Sequence, residues 1–216
     1  DLFVQKANGD SKSLSSYLSS VRNDLPKVTD QINNLQTTVE ASKSLINSTQ
    51  QTVNAVSNSF SSDVVTMQST NQELQSLLSK LKELNNAMDT TKMVETVDKL
   101  VKLTDSLNKI IDNNLKALEK INSVIPNNKI GNLINKLNTA KDLVSKEREQ
   151  LVALKTALSN NESKENIANA IESVSTISTE TSSALINVSN TFYNDGAPAL
   201  NTIGNSLKGG LDTANS

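Results

Sequence analysis

The chain has 216 residues with 2% aromatic side chains, no Trp, 6 Gly and 3 Pro, so it lacks the bulky groups of a thick globular core and the turns of a many-stranded β fold. It contains neither Cys nor His, which excludes disulfides, thiolate metal sites, and the Ser-His-Asp, Cys-His and zinc constellations. A net charge of -2 with both signs interspersed offers no field for nucleic acid or an anionic membrane surface, and no stretch is apolar for the length of a membrane span.

The first ten residues read as a short lead, with Gly9-Asp10 as a stop and Asp10 or Ser11 as the cap of a helix over about 11–88. Within it apolar residues keep a 4-3 spacing: Leu14, Leu18, Val21, Leu25, Val28, Ile32, Leu35, Val39, then Ile46, Val53, Val56, Phe60, Met67, Leu74, Leu77, Leu81, Leu84 and Met88. Ser42, Thr49, Asp63 and Thr70 break the series. A repeat of 3.5 residues holds one narrow seam against a partner helix, the condition for a coiled coil. At 1.5 Å per residue the helix would be about 110 Å long, a rod. Pro26 removes one backbone hydrogen bond, yet the apolar phase is the same on both sides, which predicts a continuous, kinked helix. The alternative is a short helix over 11–24 and a long one with Pro26 in its first turn. Residues 42–70, rich in Ser, Thr and Asn, are expected to be the softest part of the rod.

The phase slips after Met88, where Asp89-Thr90-Thr91 supply capping side chains for a turn. A second helix over about 91–125 follows, with Met93, Val97, Leu100, Thr104, Leu107, Ile111, Asn114, Leu118, Ile121 and Ile125 on its seam; Pro126 ends it, and Pro126-Asn127-Asn128 reads as a turn with a cap. On its outer face Asp98, Asp105 and Asp112 each stand four residues before Lys102, Lys109 and Lys116, the favourable order for i,i+4 pairs. A third helix over about 129–159 carries Ile130, Leu133, Leu137, Ala140, Val144, Glu147, Leu151, Leu154 and Leu158, and Asn160-Asn161 closes it. A fourth over about 163–194 carries Ile167, Ile171, Val174, Ile177, Leu185, Val188 and Phe192. Asp195-Gly196-Ala197-Pro198 bends or restarts it, and a last piece over about 198–209 fades into Gly209-Gly210, read as a flexible linker.

Reversal at each break gives an all-α fold over 1–216: an elongated antiparallel coiled coil whose long first helix returns through shorter ones. The Leu-rich segments within 74–158 form a distal bundle of up to four helices, and residues 14–50 pair with the C-terminal helices in a thinner proximal half. Both ends of the chain then emerge on one side. Catalytic, cofactor and metal sites are not expected. Asp63 and Glu147 occupy seam positions, but no His or second carboxylate stands three or four residues from either. They are expected to snorkel to water, to pair with a Lys of a neighbouring helix, or to mark a half-open seam. Gly204, Gly209 and Gly210 do not spell a phosphate loop, and Tyr17, Tyr193 and the three Phe read as scattered, with Phe60 and Phe192 explained by seam packing.

The stretch Asn190-Thr-Phe-Tyr193-Asn-Asp-Gly196-Ala-Pro198-Ala-Leu200-Asn-Thr-Ile203, continuing through Leu207 to Gly210-Leu211-Asp212, resembles the end of the extracellular region of the phage infection protein family, the YhgE/Pip group. The Ser/Asn/Lys-rich heptads from Ser11 onward resemble that region too. The resemblance implies a Gram-positive membrane protein with one transmembrane helix before Asp1 and several after Ser216, this segment projecting through the cell wall. It implies a protein partner, either a phage protein or an envelope component such as a type VII secretion system. The expected function is therefore a non-catalytic extracellular stalk. The alternatives are a helical-bundle sensor, which requires a polar pocket flanked by aromatics, and a structural tether or homodimeric coiled coil, since two copies can pair through the same heptads.

Overall fold

The structure, a computed structural model, describes all 216 residues. It is all helical: α1 (Leu2–Asn86), α2 (Thr90–Val124), α3 (Asn128–Ser159), α4 (Lys164–Thr191), a π-helical turn (Phe192–Gly196) and α5 (Ala197–Asn215). Residues Leu2 to Asp10 are part of α1, so the helix does not begin at Ser11 and Asp10 is not its cap; Asp1 Oδ1 accepts from the Phe3 N–H at 3.0 Å. Gly9 lies inside α1; a helical Gly costs about 1 kcal/mol, too little to end a helix of this length. Pro26 also lies inside α1, so the continuous reading holds and the two-helix alternative does not. The Ser/Thr/Asn-rich residues 42–70 are helical throughout.

Side chains close the breaks. Asp89 caps α2 by accepting from the Lys92 N–H at 3.2 Å, Asn127 caps α3 by accepting from Lys129 and Ile130 at 2.9 and 3.1 Å, and Ser163 caps α4 by accepting from Asn166 at 3.1 Å. Met88 is not the end of the seam: it takes a φ of 54° in the α1–α2 turn and is 71% exposed. Asn161 takes the equivalent left-handed conformation after α3 with φ 52°, a position Asn tolerates.

Two compact units are formed: Thr49–Gly209, and Asp1–Ser48 with Gly210–Ser216. The first is an up-and-down helical bundle. Asn71 and Asn85 of α1 donate to the Ser178 and Lys164 carbonyls of α4 at 3.4 and 3.0 Å, an antiparallel pairing. Asn114 of α2 donates to Asp63 of α1 at 3.0 Å. Asp98, Asp105 and Asp112 do not serve i,i+4 pairs. They reach across to Lys155, Arg148 and Lys141 of α3 at 2.7, 2.8 and 2.8 Å, because two antiparallel helices in step present one such pair per heptad. These pairs are about half exposed, so solvent screens them and each contributes little.

The buried residues of α1 in this unit are Thr49, Val53, Val56, Phe60, Val64, Met67, Asn71, Leu74, Leu78, Leu81 and Asn85. After Phe60 the series steps to Val64, Asn71, Leu78 and Asn85, one residue beyond the expected Asp63, Thr70, Leu77 and Leu84, which are half-buried. The narrow coiled-coil seam is thus corrected to a stripe three residues wide per heptad, because in a four-helix bundle each helix touches two neighbours. The α2 seam is buried as expected from Met93 to Ile121, while Ile125, the C-cap, is only half-buried because the helix has ended there; all nine expected residues of α3 are buried. In α4 the expected Ile177 yields to Ser178, and Thr181 is buried as well. Gly209-Gly210 is not a linker: both residues are helical, within α5.

In the second unit the expected proximal pairing of α1 with the C-terminal helix is seen around Ile46 and Gly210. The end of α5 lies against α1 at Ile46, whose Cδ1 is 3.7 Å from where a Cβ on Gly210 would be, and Leu211 is half-buried. Leu14, Leu18, Leu25, Val28, Ile32 and Leu35 are between 47% and 64% exposed.

Candidate functional site

The bundle unit holds a polar layer inside an otherwise aliphatic core. Glu147 of α3 is fully buried, and its Oε1 accepts from Thr181 Oγ1 of α4 at 2.7 Å. One turn earlier in α4, the Ser178 carbonyl accepts from Asn71 of α1, which links three helices. Met67, Leu74, Val144, Leu151, Val174 and Leu185, all nearly or fully buried, bracket the layer on both sides along the bundle. Glu147 Oε2, Ser178 Oγ and Asn71 Oδ1 are buried without a hydrogen-bond partner. Glu147 neither snorkels nor meets a lysine, contrary to expectation, because its place on the α3 heptad points it into the bundle axis. Asp63 lies at the half-buried edge of the stripe and accepts from Asn114.

Burial pushes the Glu147 carboxyl up to about 7, and the hydrogen bond from Thr181 offsets part of that rise. No charged neighbour contributes, so removal from water is the dominant cause. A carboxyl with this value is divided between acid and carboxylate near neutrality. No group of three His, Cys, Asp or Glu gathers around it or anywhere else in the chain. The chemistry open to the layer is to gain or lose one proton in a dry core.

The second feature is the π-helical turn, which contains the aromatic pair Phe192-Tyr193. One extra residue per turn swings Phe192 onto Phe60 of α1, with centroids 4.3 Å apart and the rings stacked, and Tyr193 meets Phe192 edge-on at 5.3 Å. The Tyr193 hydroxyl bonds Ser61 of α1. A Cβ on Gly196 would lie 3.0 Å from Leu133 Cδ2 and 3.3 Å from Phe192 Cδ2, so this glycine lets α3 come close. Three aromatics read as scattered therefore form one cluster, while Phe3 and Tyr17 stay exposed. Beside the cluster a groove of about 290 Å³ opens between α1 and α5, with Gln50, Asn54, Phe192, Gly204, Asn205 and Lys208 among its walls.

Asn71, Ser178 and Thr181 were not singled out from the sequence, although Ile171, Val174, Ser178, Thr181, Leu185 and Val188 form an unbroken 3-4 series. The spacing reveals them once polar residues are admitted to the seam. No family model, curated protein or solved structure matches the chain.

Proposed function

We propose that this chain is a non-catalytic helical stalk, the extracellular segment of a Gram-positive membrane protein of the phage infection type, and that it presents its bundle to a protein partner. The observation that supports this reading is how the chain enters and leaves the bundle unit. α1 enters it and α5 leaves it side by side, with Val53 Cγ1 3.6 Å from where a Cβ on Gly204 would lie. A bundle held out between two membrane anchors requires entry and exit at the same end. The stretch that carries the resemblance is what allows this: the π-helical turn and Pro198 let α4 run on into α5 without a reversal. Partners on this reading are a phage protein or another envelope component, engaged by shape and side-chain contacts.

A second reading, a helical sensor, is favoured by the groove between α1 and α5, where amide side chains and Lys208 surround an aromatic ring. The stalk reading is tested with a single Cys at the exposed Ser69 of the protein on its own cells, since the chain has no other thiol. Labelling of intact cells by a membrane-impermeant maleimide is expected; labelling only after lysis would overturn the extracellular assignment.

A further inference from the structure

We propose that the groove between α1 and α5 binds a small carboxylate with an amide beside it, the chemistry of an N-acylated amino acid; this rests on the sensor reading of the groove and not on the stalk reading. The groove lies wholly within the bundle unit, and α1 and α5 both run on past it. Each helix contributes one polar row: Gln50, Asn54 and Ser57 from α1, and Asn201, Asn205 and Lys208 from α5. Both rows have the four- and three-residue spacing that keeps side chains on one face of a helix. None of the six side chains is hydrogen-bonded or ion-paired within the chain. Elsewhere in the unit, amides that stand between helices are used: Asn71 and Asn85 donate to α4, and Asn114 donates to α1. Between the rows Gly204 has no side chain to fill the space, and the floor includes Phe192 and Leu200, both buried. The π-helical turn delivers that ring, and such single turns frequently mark functional sites.

The ligand class follows from what the walls can bond. An Asn or Gln side chain both donates and accepts, so facing rows of amides complement a group that does the same, which is another amide. Lys208 only donates. It is the single charged residue of the groove, with no Asp or Glu among the walls, so the group it recognises is an anion, and a carboxylate is the anion that an amino acid carries. The apolar floor accepts an aliphatic side chain. A volume of about 290 Å³ stands at the small end of ligand pockets, roughly 300–1,000 Å³, which suits a ligand the size of one acylated residue.

The test is a chemical-shift titration of the full chain with N-acetyl-leucine and with its uncharged counterpart N-acetyl-leucinamide, independent of where the protein resides in the cell. The carboxylate is expected to bind, and the uncharged ligand to bind at least tenfold more weakly. Lys208→Gln is expected to abolish that difference with an unchanged thermal melt, because Lys208 is exposed and makes no ion pair. Asn54→Ala with Asn205→Ala, one exposed amide from each wall, is expected to weaken both ligands at least tenfold. Equal binding of the two ligands overturns the carboxylate assignment and leaves the sensor reading standing. Binding that survives both sets of substitutions lies elsewhere on the chain and overturns the proposal, as does the absence of binding by either ligand at millimolar concentrations.

Discussion

Replacing Glu147 by Gln removes the one titratable group that the bundle buries completely. In the native state its carboxyl holds a proton up to about 7, against 4.5 when unperturbed. The unfolded chain therefore loses this proton first as pH rises. Its contribution to stability is fully present below about pH 4.5, declines through the interval up to about 7, and is absent above. The difference of about 2.5 units corresponds to about 3 kcal/mol lost between pH 4.5 and 8. Gln is nearly isosteric, keeps an oxygen to accept from Thr181, and does not titrate. Urea unfolding followed by circular dichroism at pH 5, 6, 7 and 8 should show the wild type weakening by about 2–3 kcal/mol while the variant stays level. The variant should match the wild type near pH 5 and exceed it at pH 8. Parallel stability profiles for the two proteins would refute the reasoning: Glu147 would then be ionised or hydrated in the folded state.

Other substitutions probe the packing. Leu107→Asp places a charge at a fully buried position of α2 and should cost several kcal/mol, melting the bundle; an unchanged thermal melt would rule this packing out. Gly196→Ala forces a methyl against Leu133 and Phe192 and should cost about 1–3 kcal/mol in denaturant unfolding, whereas a loss below the error of the measurement would mean that α3 is not held close to the π-helical turn. Gly131→Ala adds a methyl inside α3 where nothing lies within 4 Å, so the unfolding midpoint should rise by the equivalent of about 0.5–1 kcal/mol. Arg148→Ala removes the exposed pair with Asp105 and should lower stability by less than about 1 kcal/mol, an effect that salt diminishes further.

The sequence by itself determined the helices and most of the core. Apolar spacing, Pro126, and the capping residues Asp89 and Asn127 are local signals, because a helix is closed by hydrogen bonds between near neighbours and its turns by the side chains beside them. The nine seam positions of α3, Glu147 included, were legible in the same way. The choice between neighbouring residues for burial was not. Whether Asp63 or Val64, Leu77 or Leu78, and Ile177 or Ser178 faces the core depends on how many helices a given helix touches, and a 3.5-residue repeat is satisfied by either choice. Nor could spacing place Asn71 beside Ser178 or Thr181 beside Glu147, since those pairs are 107 and 34 residues apart and meet only when antiparallel helices come into register. The heptads of residues 14–39 and of 46–60 look alike in the sequence. Only the tertiary structure shows α5 lying against Ile46 and Val53, because the register between two helices so far apart in the chain is set by their packing and not by either helix's own spacing.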